Sequence, residues 1–532
     1  MKSKIFLSLS FILTALVGCS DDDAPDSRTM NHDVAYVSVR IKTPNTTQTV
    51  TRSSTEESAS NQENAVKTLY AVTFDDGNTI LQYGNDSPAV ELEDFHTDGT
   101  STHQMPSPFK ISAKATRLLL VANPGTELLK VLNGLQAGGT FDTFNAAIAN
   151  VDASEIEDDT EGFTMINVGA TVNADNDNTP NGTLCLIDVS TAVKAIDDYA
   201  TEAEAIQDAK DNPVNVNIER LSSKVFVHSK IPDGSASEKV LPQGAVFYFD
   251  GWTLDGVNGT FFPWAKTVKL ASAPITTNFY KHNFYTIDPN YANNTGIVYN
   301  KVDPTTRVPK TTFLAEGEET YCLENTMKAT EQRFQNATRV VIKARYYPNG
   351  WTGDWFKFGN DEYENLAALQ TAYAIPTNTN LIEACDKFYN AVKQYATDIS
   401  KPISAGDFES LTEAELADLP NGGEAVKEDG CIKWFKDGLC YYWYEIRHDD
   451  AITASRAFAK YGVVRNNIYN LTLNSVKRPG TPWYPNIDPD DPNPDPDPNE
   501  PDPTDPIDEF EGYIDVTVEI GPWVKWEHSI DL

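Results

Sequence analysis

Short stretches in which apolar and polar side chains alternate recur from one end of this chain to the other. The local structure that such a period dictates is a strand with one buried face. Near the start, "VAYVSVRIKT" places Val37, Val39 and Ile41 on one face and Ser38, Arg40 and Lys42 on the other. At the end, "YIDVTVEI" turns Ile514, Val516, Val518 and Ile520 one way and Asp515, Thr517 and Glu519 the other. Between them, "VNVNIERLSSKVFVHSK", "GAVFYFDGWTLDGV", "TRVVIKARYYPNG" and "GLCYYWYEIRHDD" read as further strands. Short strands separated by turns favour sandwiches over a parallel sheet. The terminal strand raises its own question, because a half-buried strand must be buried against something.

A chain of 532 residues exceeds one core, so two or three domains are expected. "AVKTLYAVTFDDGNTILQY" predicts a hairpin turning near Asp76-Gly77, and "RLLLVANPG" a buried strand ending in a turn. "GTELLKVLNGLQ" and "FDTFNAAIANVD" read as short helices, and "NLIEACDKFYNAVKQYAT", residues 380–397, as a longer helix inserted in a β-rich stretch. The first domain is expected to end near Asn212-Pro213.

The formal charge of −36 argues against nucleic-acid binding, which needs clustered Lys and Arg to neutralise phosphates. Lys2 and Lys4 precede the apolar run Ile5–Val17, too short to span a bilayer and suited to a secretory signal. The run ends in "LVGC", which resembles a bacterial lipobox with Cys19 as the lipidated residue. The "SDDD" that follows resembles an acidic surface-export signal of Bacteroidota lipoproteins.

Five other cysteines remain, Cys185, Cys322, Cys385, Cys431 and Cys440, and an odd number cannot form a complete disulfide framework. If Asp437-Gly438 is a two-residue hairpin turn, Phe435 faces Cys440 and Cys431 faces Tyr444, so the nearest pair is not cross-strand. The five are expected to be small buried residues.

Residues 485–510, "PNIDPDDPNPDPDPNEPDPTDPIDEF", hold nine Pro and ten acidic residues and no Lys or Arg. Proline and like-charge repulsion favour an extended spacer, reaching on the order of 80 Å if fully stretched. A calcium loop must curl around its ion, so the solvated spacer is the better reading.

Nucleotide, nucleophile-elbow and zinc-protease motifs are missing from the sequence, and no metal ligand set or cofactor site is expected. His448, followed by two acidic residues, reads as a structural histidine at a strand end. The aromatic stretch "YYPNGWTGDWFKFGNDEY", with Trp351 and Trp355, is a candidate for stacking on sugars, although a hairpin with its aromatics in the core explains it as well. Two classes of function follow: a structural, polymerising protein, or a monomeric surface glycan-binding lipoprotein. Neither is an enzyme.

Several segments together resemble one family, the type V pilus fimbrillins of Bacteroidota, nearest to the shaft subunit of short (Mfa-type) fimbriae. They are the lipobox, "LYAVTFDDGNTI", "LLLVANPG", "YYWYEIRHDD", "KYGVVRNNIYNLTLNSVKRPGTPW", and a Pro-rich interruption leading to a terminal strand that runs into Pro522-Trp523. The resemblance implies two tandem transthyretin-like β-sandwich domains with helical insertions, plus a C-terminal donor strand. It further implies export as an outer-membrane lipoprotein, Arg-specific cleavage that removes the first strand, and polymerisation by donor-strand exchange. The implied partners are identical subunits in a homopolymer, accessory anchor and tip subunits, and host or bacterial surface receptors. The implied location is a fimbrium on the cell surface, with roles in adhesion and biofilm formation.

On that reading "VSVRI", Val37 to Ile41, is the displaced strand and "VTVEI", Val516 to Ile520, its replacement, since both carry Val, Val and Ile on one face. Ile514, Val516, Val518, Ile520 and Trp523 are then the donor residues. Arg28 precedes the strand and Arg40 lies within it. Arg52 follows it in a Ser/Thr-rich linker, so Arg52–Ser53 is the expected processing bond. The expected organisation is a signal peptide at 1–18 and a lipidated propeptide at 19–52. Domains at 53–212 and 213–484, a spacer at 485–511 and a donor strand at 512–532 follow.

Overall fold

A computed structural model describes residues 33–42 and 63–488, together with 504, 507 and 514–522. Residues 84–86, 96–101, 106, 142–148, 151–156, 159–161, 168–185, 232–238, 242–243, 264, 268–284, 294–295, 421, 428–429 and 450–451 are excepted.

The chain opens with β1 (Val34–Val37) and β2 (Val39–Lys42), followed by β3 (Leu69–Phe74), β4 (Ala89–Glu91), β5 (Thr102–Gln104), β6 (Phe109–Ser112) and β7 (Arg117–Ala122). Helix α1 (Thr126–Asn133), β8 (Met165–Asn167), β9 (Ile187–Asp188), β10 (Lys194–Ala195), helix α2 (Glu202–Asp211) and β11 (Val214–Arg220) complete the first sandwich. One sheet runs β4-β3-β7-β8-β11-β2-β5, with β9 beside β7, and the other runs β10-β1-β6. Ala35, Val37, Val39 and Ile41 fill the core between them with Leu118, Leu120, Met165, Val216 and Ile218. Leu128 and Leu132 of α1 cluster with Leu119 and Val121, so the large sheet is covered on both faces.

Two expectations change here. The segment read as one N-terminal strand divides at Ser38: β1 belongs to the small sheet and β2 to the large one. The sandwich also continues past Asn212-Pro213, because β11 pairs parallel with β2 and antiparallel with β8. Alternation reports which face is buried, not which sheet a strand joins.

Only Leu221 separates β11 from β12 (Ser222–Ser229), the first strand of the second sandwich. There follow β13 (Lys239–Val240), β14 (Val246–Asp255), β15 (Glu319–Leu323) and β16 (Arg339–Tyr347). Next come β17 (Trp355–Phe358), β18 (Asp361–Tyr363), helices α3 (Leu366–Tyr373), α4 (Thr379–Asp398) and α5 (Glu413–Ala417), and β19 (Lys433–Phe435). The last strands are β20 (Leu439–Glu445), β21 (Asn467–Val476) and β22 (Ile514–Pro522). Sheets β15-β12-β21-β22 and β13-β14-β16-β20 face one another over Val225, Phe247, Trp252, Ile342, Tyr442 and Leu471.

The inserted helix is present as α4. Its buried residues Leu381, Cys385, Phe388, Val392 and Tyr395 recur at three- and four-residue intervals, the period of one helical face. With α3, α5 and the sheet β18-β17-β19 it encloses a separate core around Phe356 and Trp434. Asp437-Gly438 does not close a two-residue hairpin. Strand β19 pairs with β17, whereas β20 pairs with β16, so the turn carries the chain from one sheet to another. Cys322, Cys385 and Cys440 are buried as expected, Cys431 is only half-buried, and Cys185 lies outside the described residues; burial raises the pKa of Cys440 to about 12.

Candidate assembly strands

The terminal strand is placed by period and register together. Strand β22 lies antiparallel to β21 at the edge of its sheet, with Val518 opposite Leu471, Val516 opposite Leu473 and Ile514 opposite Val476. A bulge between Leu473 and Ser475 gives β21 one extra residue, Asn474, whose amide donates to the Thr517 hydroxyl at 2.7 Å. Ile514 and Val518 are buried in the second core and Val516 packs against it, while Asp515 and Thr517 are exposed. The face read from the sequence is therefore the buried face. The expected partner is another matter, since here the strand folds back onto its own chain. An apolar face covers the nearest complementary edge, and the edge of β21 is within reach of the tail. The backbone of Ile520 pairs with Tyr469; Trp523 lies outside the described residues.

The first strand occupies a different setting. Val37, Val39 and Ile41 are each wholly buried, as is Ala35, so four inward seats run without interruption across the switch between sheets. Strand β1 lies between β6 and β10, and β2 lies between β11 and β5. Losing residues 34–42 would remove a central strand from both sheets. On the outer side, Val34 and Tyr36 pack against Ala205 and Ala209 of α2. Helix α2 begins at the Thr201 cap, whose hydroxyl accepts from the Glu204 amide.

Tyr36 donates its hydroxyl to Glu202, and Lys110 lies 3.4 Å from the same carboxylate. These two hydrogen bonds, with Tyr36 the larger influence, hold Glu202 below the usual carboxylate range. Burial, then the Glu202 bond, raises the Tyr36 phenol. Nearly two turns along the helix, Asp208 accepts from the Tyr199 hydroxyl and lies 3.2 Å from Lys194, and those bonds lower its pKa.

Cys19, Arg52 and Ser53 lie outside the described residues. The chain re-enters at Glu63 and Asn64, both buried at the junction of the sandwiches. Arg220 donates Nε to the Glu63 carbonyl at 3.0 Å and also bonds the Asn64 side chain. Glu63 Oε1 accepts from Lys224 Nζ at 2.9 Å and from the Tyr321 hydroxyl at 2.7 Å. Burial alone would raise the Glu63 carboxyl, but the charge and hydrogen bond of Lys224, helped by Tyr321 and Arg220, outweigh it and lower the pKa. Nothing in the sequence singled out Glu63.

Trp355, proposed as a sugar-stacking residue, is wholly buried. Its ring lies 3.8 Å from that of Phe435 and its Nε1 donates to the Tyr346 carbonyl at 2.8 Å. It is a core residue because β17 turns it inward against β19. Trp351 is half-buried against the second core. Among the described residues no group of three or more His, Cys, Asp or Glu is arranged to hold a metal.

The model of the "Major fimbrial subunit protein (FimA)" family matches residues 35–220, the span from β1 to the end of β11. That of "Major fimbrial subunit protein type IV, Fimbrillin, C-terminal" matches residues 433–529, from β19 through β22. Together they cover more than half of the chain. The chain belongs to the fimbrillins. Fimbrillins are structural subunits of cell-surface fimbriae and not enzymes. No curated protein matches this fimbrillin.

Among solved structures, a fimbrilin (fimA) from Porphyromonas gingivalis W83 is 13% identical, over 93% of this chain and 98% of that one, with a TM-score of 0.39. The tip fimbrial protein Mfa3 from Porphyromonas gingivalis, with a C-terminal truncation, is 12% identical over 92% and 100%, at a TM-score of 0.34. The fimbrial anchor protein Mfa2 from the same organism is 9% identical over 59% and 79%, at 0.24.

Proposed function

We propose that this fimbrillin is a shaft subunit, exported as a lipoprotein through Cys19, cut between Arg52 and Ser53, and polymerised by donor-strand exchange. The displaced strand is Val37, Val39 and Ile41 with its neighbours. The donor is Ile514, Val516, Val518 and Ile520, with Trp523 beyond them, from an identical subunit. The polymer would serve adhesion and biofilm formation, capped by anchor and tip subunits.

One observation carries the reading. The first strand fills four wholly buried seats at every second residue, and the terminal strand offers apolar residues with the same period. An edge strand supplies a ladder of backbone hydrogen bonds, and its alternate side chains supply specificity. A sandwich that has lost a central strand is an open edge that associates unless it is filled. Arg52 lies in the linker between this strand and the fixed point at Glu63, so a cut there separates the strand from the folded body. The competing glycan-binding reading loses its main support with Trp355 in the core.

Deletion of residues 512–532 tests the proposal. The truncated chain should be exported and processed, yet give no high-molecular-weight ladder on unboiled gels. A ladder of normal length would overturn it.

A further inference from the structure

The inference concerns register and rests on the donor-strand reading. A strand with period two can slide by two residues in its groove without changing which face is buried, so something else must fix its position. We propose that Asp515 fixes it, by entering the groove between Lys110 and Lys194 of the neighbouring subunit.

Tyr36 is the register partner of Lys110 on β6 and of Lys194 on β10. Once the first strand has left, that position is flanked by a lysine on either side. Their present partners are on α2: Lys110 with Glu202 at 3.4 Å and Lys194 with Asp208 at 3.2 Å, Asp208 also taking the Tyr199 hydroxyl. Departure of Tyr36 removes the hydroxyl that Glu202 accepts from. An incoming carboxylate would stand directly opposite both lysines, the cross-strand position at which opposite charges attract.

Laying "VTVEI" over "VSVRI" delivers that carboxylate. Val516, Val518 and Ile520 take the seats of Val37, Val39 and Ile41, Thr517 falls on Ser38, and Asp515 falls on Tyr36. Glu519 then faces the neutral Asn215 and Gln104, the neighbours of Arg40. Ile514 falls on Ala35, a seat at the entrance of the strand where the newcomer is larger.

The rival register, two residues away, seats Tyr513 on Tyr36 but puts Asp515 on Ser38. Ser38 is wholly buried, and its hydroxyl has no hydrogen-bond partner among the described residues. A carboxylate there would be buried without a counter-charge, a heavier penalty than three extra carbons at the end of a groove.

Cysteine cross-linking between chains reads the register. Full-length Asn215→Cys and Glu519→Cys chains, co-expressed, keep Asp515 and both lysines and should give an oxidised dimer band on non-reducing gels, above the background of the unaltered chain. Asn215→Cys with Thr517→Cys should not. A Thr517 cross-link in place of the Glu519 one would overturn the register. Asp515→Lys should slow assembly about tenfold, and Lys110→Glu with Lys194→Glu in the acceptor should restore it; unchanged assembly by Asp515→Lys would also refute the proposal. An Asp515→Lys chain that also carries Thr472→Cys and Thr517→Cys, opposite each other on β21 and β22, reports that the variant tail still folds. If the chain lacking 512–532 polymerises, the donor-strand reading itself fails; if polymers need the tail but cross-link through Thr517, only the register does.

Discussion

Val518 stands opposite Leu471 in antiparallel register, and both side chains are buried in the core of the second sandwich. Within its own chain the terminal strand is therefore already seated on β21. On the proposed donor-strand reading, a joint between subunits has to replace these contacts, because the strand presents the same apolar face in either place.

Val518→Asp should lower stability by about 3 kcal/mol, from the lost burial of one Val and the placement of a carboxylate against the core. Thermal unfolding of the monomer measures this, and the same variant should abolish the polymer ladder. A monomer with unchanged melting temperature would show that β22 does not rest on β21.

The Glu63 clamp predicts a pH dependence of definite sign. Its carboxyl is held below the ordinary range in the folded chain, so its contribution is present above about pH 4.5 and is lost as pH falls through the depressed folded value. Glu63→Gln should cost about 3 kcal/mol at pH 7, because Lys224 is left buried with only the partly exposed Glu319. The penalty should shrink toward zero in strong acid. Melting curves of both proteins between pH 7 and pH 3 check this, and parallel curves would refute it.

Period carried much of this structure into view: the buried faces of "VSVRI" and "VTVEI" and the helix at 380–397 all follow from spacing. What spacing could not convey is which element each face meets. The switch at Ser38, the placement of β11 in the first sandwich and the docking of β22 on its own chain depend on residues far apart in sequence. The Asp437-Gly438 turn has the residues of a hairpin, with Asp437 at φ 47 and Gly438 at φ 69. Its flanking strands nevertheless diverge, because Phe435 stacks on Trp355 in another sheet. Glu63 looked like any acidic residue in a polar linker until Lys224, Tyr321 and Arg220 surrounded it.

Trp355→Ala should destabilise the chain by about 3–5 kcal/mol, since a wholly buried indole and its hydrogen bond to Tyr346 are lost together. Urea unfolding followed by tryptophan fluorescence measures it. A variant of native stability that had lost glycan binding would return the cluster to a surface role.

The spacer is not free along its whole length. Ile507 is buried among Met327, Phe334, Ala337, Tyr461 and Ile487, its amide donates to the Gln332 carbonyl at 3.2 Å, and Arg333 donates to the Thr504 carbonyl at 2.9 Å. Ile507 is the one aliphatic residue between Asp488 and Phe510, so a run of Asp and Pro carries a single apolar anchor. From Ile507 to Ile514 an extended chain spans about 23 Å, against about 80 Å from Asp488. Seating Ile507 thus confines the terminal strand to nearby edges, and its own β21 is one of them. Ile507→Ala should cost about 2 kcal/mol locally, given a partly peripheral site, without lowering the global melting temperature by more than a few degrees. Its signature is proteolytic: glutamyl endopeptidase should cut after Glu509 several-fold faster in the variant monomer, as the local opening that exposes the segment becomes easier. Equal cleavage rates would mean that Ile507 does not hold the spacer, and the reach of the tail would then be set by its full length.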